Sequence, residues 1–121
     1  MSKWIEATEN ALKKVKDKTK VPFDFERFEE RGENLPDTYI VYFLVSAPPG
    51  LSADNMEQAY IPKIQVSLFY RKKRAFLELP DTIIQALTAA GFARAAEGRI
   101  PYNTNTGHYG WRCEFIFYER R

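Results

Sequence analysis

The chain has 121 residues, of which 45% are hydrophobic and 28% charged, and its formal net charge at pH 7 is +2. This length and composition predict one soluble globular domain, residues 1–121, and exclude a disordered or fibrous protein. The near balance of charge excludes a global positive field of the kind that drives non-specific nucleic-acid binding. A single cysteine, Cys113, cannot form an internal disulfide, and no apolar run approaches membrane-spanning length. The charged amino terminus lacks a signal-peptide pattern, so we expect the protein to stay inside a cell.

The first predicted element is a helix at about residues 3–18, capped by Ser2. Its apolar positions recur at helical spacing: Trp4, Ile5, Ala11, Leu12 and Val15. Pro22 ends the helix, and the alternation of Phe23 and Phe25 after it favours a short strand.

Two strands are predicted in the middle of the chain. Residues 39–45, YIVYFLV, form an unbroken apolar run that is typical of a central strand buried on both faces. Residues 47–58 contain two prolines and a glycine and are predicted to form a loop. The next strand has an apolar set at alternate positions: Tyr60, Ile64, Val66, Leu68 and Tyr70.

A helix and a hairpin complete the predicted elements. The helix covers about residues 80–90, with Asp81 as its cap and Gly91 as its left-handed stop. A strand at 92–102 and the turn sequence NTNTG lead into a last strand in which apolar and polar residues alternate. The element order predicts an α+β fold: an antiparallel β-sheet at about residues 38–118 with two α-helices packed on one face.

The aromatic content is high, with nine Phe, seven Tyr and two Trp. Because residues 39–45 are apolar on both sides, two helices on one face of the sheet leave apolar surface uncovered. Either a partner subunit covers it, or the Tyr and Phe side chains pack at the sheet edge.

Residues able to carry catalysis are scarce. One histidine, His108, and one cysteine provide no zinc-ligand spacing, and no glycine loop for phosphate or serine elbow is present. Cys113 shares a strand face with Trp111 and Phe115, which favours inert burial over a thiol–imidazole pair with His108. No catalytic, cofactor-binding or metal-binding residue is predicted, and the chain is expected to bind macromolecules rather than to be an enzyme.

The sharpest charge feature is the sequence YRKKR, which contains Tyr70 and the basic cluster Arg71, Lys72, Lys73 and Arg74. One interpretation is a solvated connection between a strand and a helix; the other is a contact with nucleic-acid phosphates or an acidic protein surface. The second interpretation gives an alternative function, a nucleic-acid-binding module whose exposed aromatics, such as Tyr70, Tyr102 or Trp111, stack on bases. Further positive charge on the final strands comes from Arg94, Arg99, Arg112, Arg120 and Arg121, and the sequence leaves open whether they meet the cluster in space.

Several segments resemble one family in amino-acid sequence: LPDTYIVYFLVS, KIQVSLFY, LPDTIIQALTAAGF and PYNTNTGHYGWRCEFIFY. Between about residues 22 and 118 the chain resembles small tail proteins of long-tailed phages and prophages, of the tail-completion or tail-terminator kind. The resemblance implies a sheet backed by helices and a homo-oligomeric ring, commonly a hexamer, that joins the tail tube protein to the head–tail connector protein.

The resemblance also implies a location, in the bacterial cytoplasm during assembly and then in the virion tail, and DNA passing through the ring lumen. That residues 71–74 meet this DNA is a separate hypothesis, which rests on the sequence YRKKR. The segment RKKRAF departs from the expected pattern because it carries more basic residues, which leaves the lumen contact open. No binding residue is implied by the resemblance, because the similar sequence segments lie mainly at core and turn positions.

Overall fold

The computed structural model describes residues 3–27, 35–46 and 61–117. These ranges contain helix α1 at Lys3–Thr19, strand β1 at Phe23–Phe25, strand β2 at Thr38–Ser46, strand β3 at Lys63–Tyr70, helix α2 at Lys73–Ala89, strand β4 at Phe92–Asn103 and strand β5 at His108–Phe117. The predicted loop at 47–58 and Tyr60 lie outside the described residues. Within the described ranges, no helix has the length and apolar character needed to span a membrane.

The five strands form one sheet in the order β1-β2-β3-β5-β4. All neighbours are antiparallel except β1 and β2, which run parallel with Phe23 opposite Ile40. The prediction that residues 39–45 form the central strand was wrong, since β3 is central. β2 is the second strand from the edge, and only the three-residue β1 lies outside it. The carboxyl-terminal end of β2 is exposed to solvent, where Val45 is 43% exposed.

Helix α1 packs on the sheet with the predicted apolar stripe, and Trp4, Leu12 and Val15 are all buried. The hydroxyl of Thr8, on the same stripe, donates a 2.6 Å hydrogen bond to the Trp4 carbonyl, so its burial leaves no unpaired polar group. The predicted helix at residues 3–18 is confirmed to within one residue.

Helix α2 starts at Lys73, earlier than the predicted start near residue 80, and Pro80 lies inside it. Proline at this position cannot donate to the carbonyl four residues earlier, which usually marks a helix start rather than an interior. The apolar stripe explains why the helix nevertheless extends upstream, because Phe76 and Leu79 continue the spacing of Ile83 and pack on the core. The stop at Gly91 is confirmed, with φ of 102°.

Both helices lie on the same side of the sheet, which we call the inner face. The Tyr42 hydroxyl of β2 bonds to Glu9 of α1, and Phe76 of α2 stacks on Tyr70 of β3. The buried inner-face side chains are Ile40, Tyr42, Ile64, Val66, Leu68, Tyr70, Trp111, Cys113 and Phe115. The α+β fold, with a mostly antiparallel sheet and helices packed on it, is confirmed.

The β4–β5 hairpin also forms as predicted. The carbonyl of Asn103 accepts a 2.7 Å hydrogen bond from the Gly107 N–H, and Gly107 has a φ of 77°. Strand β4 shifts register twice against β5, between Arg94 and Glu97 and between Ile100 and Asn103. The first shift places Arg94, Glu97 and Arg99 opposite inner-face residues of β5, and this determines which side chains reach α2.

Candidate functional site

The predicted basic cluster lies at the sharp junction between β3 and α2. Tyr70 ends the strand, Arg71 and Lys72 form the connection, and Lys73 and Arg74 begin the helix. The interpretation of the whole cluster as a connection is therefore correct only for its first two residues. The four cations have different surroundings, and they do not act as one patch.

Arg71 is held by the protein itself. Its Nε donates to the Thr106 carbonyl at 3.0 Å, and its Nη1 donates to the Leu35 carbonyl at 3.2 Å and to the Asp37 carboxylate at 2.9 Å. The hydrogen bond from Arg71 lowers the pKa of Asp37, with help from the charge of Lys72. Arg71 thus ties the β4–β5 turn to the segment before β2, and most of its donors are already used.

The other three cations are exposed. Lys72 lies 3.9 Å from Asp37, and Arg74 pairs with Glu78 one helical turn later at 3.1 Å. Lys73 has no ion pair within the described ranges. The first turn of α2 contains no acidic residue, and its N-cap, Lys72, makes no side-chain cap. Positive side chains therefore crowd the positive end of a helix dipole.

Tyr70 and Trp111 were predicted as exposed stacking residues, and the structure corrects both. Trp111 is 2% exposed on the inner face, where its Nε1–H donates a 2.8 Å hydrogen bond to Glu97. Tyr70 is also 2% exposed, enclosed by other rings. Both corrections have the same cause: Tyr70 and Trp111 lie on the side of their strands that faces the helices. Tyr102 is exposed, as the nucleic-acid-binding alternative requires.

Aromatic rings form a row at this corner. Tyr70 stacks near-parallel on Phe76 at 5.7 Å and on Tyr109 at 5.8 Å between centroids, and Tyr102 lies 4.7 Å from Tyr109. The guanidinium of Arg99 lies 4.5 Å from the centre of the Phe76 ring. Its Nη2 donates to the Tyr70 hydroxyl at 3.0 Å.

These residues enclose a groove of about 480 Å³, which we call the basic groove: Tyr70, Arg71, Lys73, Phe76, Arg99 and Tyr109. Among the residues that the structure describes, no acidic side chain lines it. Phe76, Arg99 and Tyr109 were not singled out at the level of sequence as partners of the cluster. For Phe76 the sequence offered one signal: this residue continues the apolar stripe of the helix toward its amino terminus.

Cys113 and His108 do not form a catalytic pair, because they lie on opposite faces of β5. Burial raises the pKa of the Cys113 thiol to about 11, so the thiol stays protonated at neutral pH. His108 is buried on the other face, with Nε2 2.8 Å from the Pro36 carbonyl. The predicted burial of Cys113 is confirmed. No group of three or more His, Cys, Asp or Glu that could hold a metal ion is found in the described part of the chain.

The second face of the sheet, which we call the open face, has no described helix packed against it. It comprises Tyr39, Val41, Phe43, Ser46, Lys63, Gln65, Ser67, Phe69, His108, Gly110, Arg112, Glu114 and Ile116, of which Val41, Ser67, His108 and Gly110 are buried. Tyr39 stacks on Phe69 at 5.1 Å, and Lys63 pairs with Glu114 at 3.1 Å. The face therefore combines an aromatic and aliphatic half from β2 with a charged half from β5.

No protein-family model matches the chain, and no curated protein matches it. Among solved structures, the fold is similar to a chain described as "Virion of native gene transfer agent (GTA) particle", with a TM-score of 0.49 and 10% sequence identity. The similarity covers 96% of this chain and 93% of that chain.

Proposed function

We propose that the protein is a structural subunit of a phage-type tail, of the tail-completion or tail-terminator kind. In this role it forms a homo-oligomeric ring, a hexamer, at the head-proximal end of the tail and joins the tail tube protein to the head–tail connector protein. It carries no catalysis. The resemblance of the segments between residues 22 and 118 motivates the proposal, and the open face is the observation that supports it.

The open face suits a contact with a second protein because apolar and charged side chains lie side by side on it. Phe43 is only partly buried, as are Tyr39 and Phe69, which stack on each other, and Val45, at the bulge near the end of β2, is 43% exposed. Subunit interfaces combine aromatic and aliphatic centres with polar rims in this way. In a ring each copy contacts its neighbour through two different patches, so the open face of one copy meets another surface of the next.

The long edge strand β4 is a weaker candidate for the ring contact. It is twelve residues long, and it carries two register shifts, Pro101 and the charged residues Arg94 and Arg99. Shifts, proline and charges of this kind block edge-to-edge strand pairing. The open face, rather than the β4 edge, is therefore the surface through which we expect copies to associate.

The test is the mass of the purified protein in solution, measured by light scattering after size exclusion over a range of concentrations, alone and with purified tail tubes. A ring, or a monomer that joins tube ends in a fixed number of copies, supports the proposal. A protein that remains monomeric and ignores tube ends contradicts it.

A matched pair of variants localises the contact. Phe43→Asp places a charge on the open face, where Phe43 is opposite Gln65, and Leu77→Asp places the same charge on the outside of α2, where Leu77 is 66% exposed. Assembly should be lost in the first variant and kept in the second. Equal loss in both, with both still folded by circular dichroism, would count against the open face.

A further inference from the structure

The basic groove has a charge that its own residues leave uncompensated. Arg71 is committed to Asp37 and to two carbonyls, but Lys73 has no ion pair in the described ranges, and Arg99 is exposed with only a neutral hydroxyl and a ring as partners. None of the described residues that line the groove is acidic. Charge complementarity therefore calls for an anion between Lys73 and Arg99, and the nearby positive end of the α2 dipole adds to that attraction.

The same groove offers flat apolar surface to a ligand. Tyr109 is 43% exposed, with one side of its ring facing Tyr70 at an interplanar angle of 22°. Tyr102, which is 49% exposed, lies 4.7 Å from Tyr109 between ring centroids, tilted by 49°. An exposed tyrosine ring beside unpaired cations is the arrangement in which unpaired bases stack while their phosphates are neutralised.

The size of the groove limits the ligand. Its volume of about 480 Å³ lies within the range for single small-molecule sites, roughly 300–1,000 Å³. This is room for one base with its sugar and phosphate. A base inside a duplex is already paired and stacked on both sides, so it cannot present its face to Tyr109.

We propose that the basic groove binds one nucleotide unit of a single-stranded nucleic acid, with its phosphate between Lys73 and Arg99 and its base against the exposed rings of Tyr109 and Tyr102. This site differs from the four-residue cluster predicted from the sequence, because Arg71, Lys72 and Arg74 are directed to protein partners. It requires no ring and does not rest on the tail function proposed above.

The experiment measures the binding of a fluorescein-labelled oligothymidylate to the full chain by fluorescence anisotropy, at about 50 mM salt and then at rising salt. Lys73→Glu and Tyr109→Ala should each weaken binding about tenfold, while Tyr109→Phe, which keeps the ring, should bind as the unmodified protein does. Because one phosphate is neutralised, affinity should fall only shallowly with salt.

A matched control is Lys14→Glu, which makes the same charge change beside Ala86 and Ala90, near the other end of α2. It should bind as tightly as the unmodified protein. Thermal melting of every variant separates lost binding from lost folding.

Four results would overturn the site. These are no binding at low salt, equal loss in Lys14→Glu and Lys73→Glu with none in Tyr109→Ala, duplex bound as tightly as single strand, and displacement of the oligonucleotide by poly-glutamate at matched charge concentration. The last of these would assign the groove to an acidic protein surface instead.

Discussion

The hydroxyl of Tyr42 in β2 donates a 2.6 Å hydrogen bond to the Oε2 carboxylate oxygen of Glu9 in α1. Tyr42 is 1% exposed, and burial together with the Glu9 hydrogen bond raises the pKa of its phenol. The other described contacts of α1 with the core are mainly apolar. This bond ties the middle of α1 to β2 on the inner face.

Tyr42→Phe should lower the free energy of unfolding by about 1.5–3 kcal/mol, the usual range for a hydrogen bond to a charged group. The ring remains, so packing is preserved and the loss reports the hydroxyl. Urea unfolding measures it. Tyr102→Phe removes a hydroxyl from a side chain that is 49% exposed and should change stability by less than about 0.5 kcal/mol. Equal losses in the two variants would mean that the Glu9 contact contributes nothing specific.

Gly110→Ala should destabilise the hairpin, because a Cβ at Gly110 would lie 2.5 Å from the Cβ of Ile100. That atom is attached directly to the β4 backbone, so the strand itself must move. Forced contacts of this kind cost about 1–3 kcal/mol. The expected loss should be seen in the urea midpoint.

A second substitution on the opposing strand distinguishes a clash from a backbone effect at Gly110. In the Gly110→Ala/Ile100→Gly variant the opposing Cβ is gone, so Gly110→Ala should cost less in that background than in the unmodified protein. An undiminished cost would show that the Ile100 contact is not its source.

The elements that the sequence predicts correctly are those decided by local periodicity. The stripe of Trp4, Leu12 and Val15 defines α1, and the alternation of Ile64, Val66 and Leu68 defines the buried face of β3. Gly91 and the NTNTG turn end their elements where expected because they adopt backbone conformations that few other residues favour.

The position of the groove could not be predicted, because it depends on pairings that are distant in sequence. Strict alternation along β4 would place Arg94 and Arg99 on opposite faces, but the extra residue at the first register shift puts both on the inner side. Arg99 thereby reaches Phe76. The sequence did not predict Phe76 as part of α2, because Pro80 indicated a helix that begins later. Likewise, the strand order makes β3 rather than β2 central, and no local pattern encodes strand order.

Arg71→Lys should cost about 1–2 kcal/mol although the charge is kept. A lysine has one terminal nitrogen and cannot reach Thr106, Leu35 and Asp37 at once, as the guanidinium does. Buried or partly buried carbonyls then lose their donor. Urea unfolding gives the cost, and amide hydrogen exchange should quicken at the 103–107 turn. Lys72→Arg, at the exposed neighbouring position, is the control and should leave both measurements unchanged.

Cys113 should make the protein less stable as the pH rises from about 9 to about 11. The folded thiol has a pKa raised to about 11 by burial, against an ordinary value of 9.0, so in this window the unfolded chain loses a proton that the folded chain keeps. Deprotonation therefore favours the unfolded state. The stabilisation that comes from keeping the folded thiol protonated is fully present below pH 9 and is lost as the pH rises to 11. At pH 10 the difference is of order 1 kcal/mol.

The comparison with Cys113→Ala isolates this effect from the phenols that titrate in the same range. The variant loses buried volume, which lowers its stability by the same amount at every pH, but its stability should fall less between pH 9 and 11 than that of the unmodified protein. A thiol reagent at pH 8 provides an independent measurement. Cys113 should react slowly in the native protein and rapidly in urea, because the thiolate forms only when the inner face opens. Parallel pH profiles for the two proteins, or rapid native-state labelling, would show that the thiol is more accessible than its position between Trp111 and Phe115 implies.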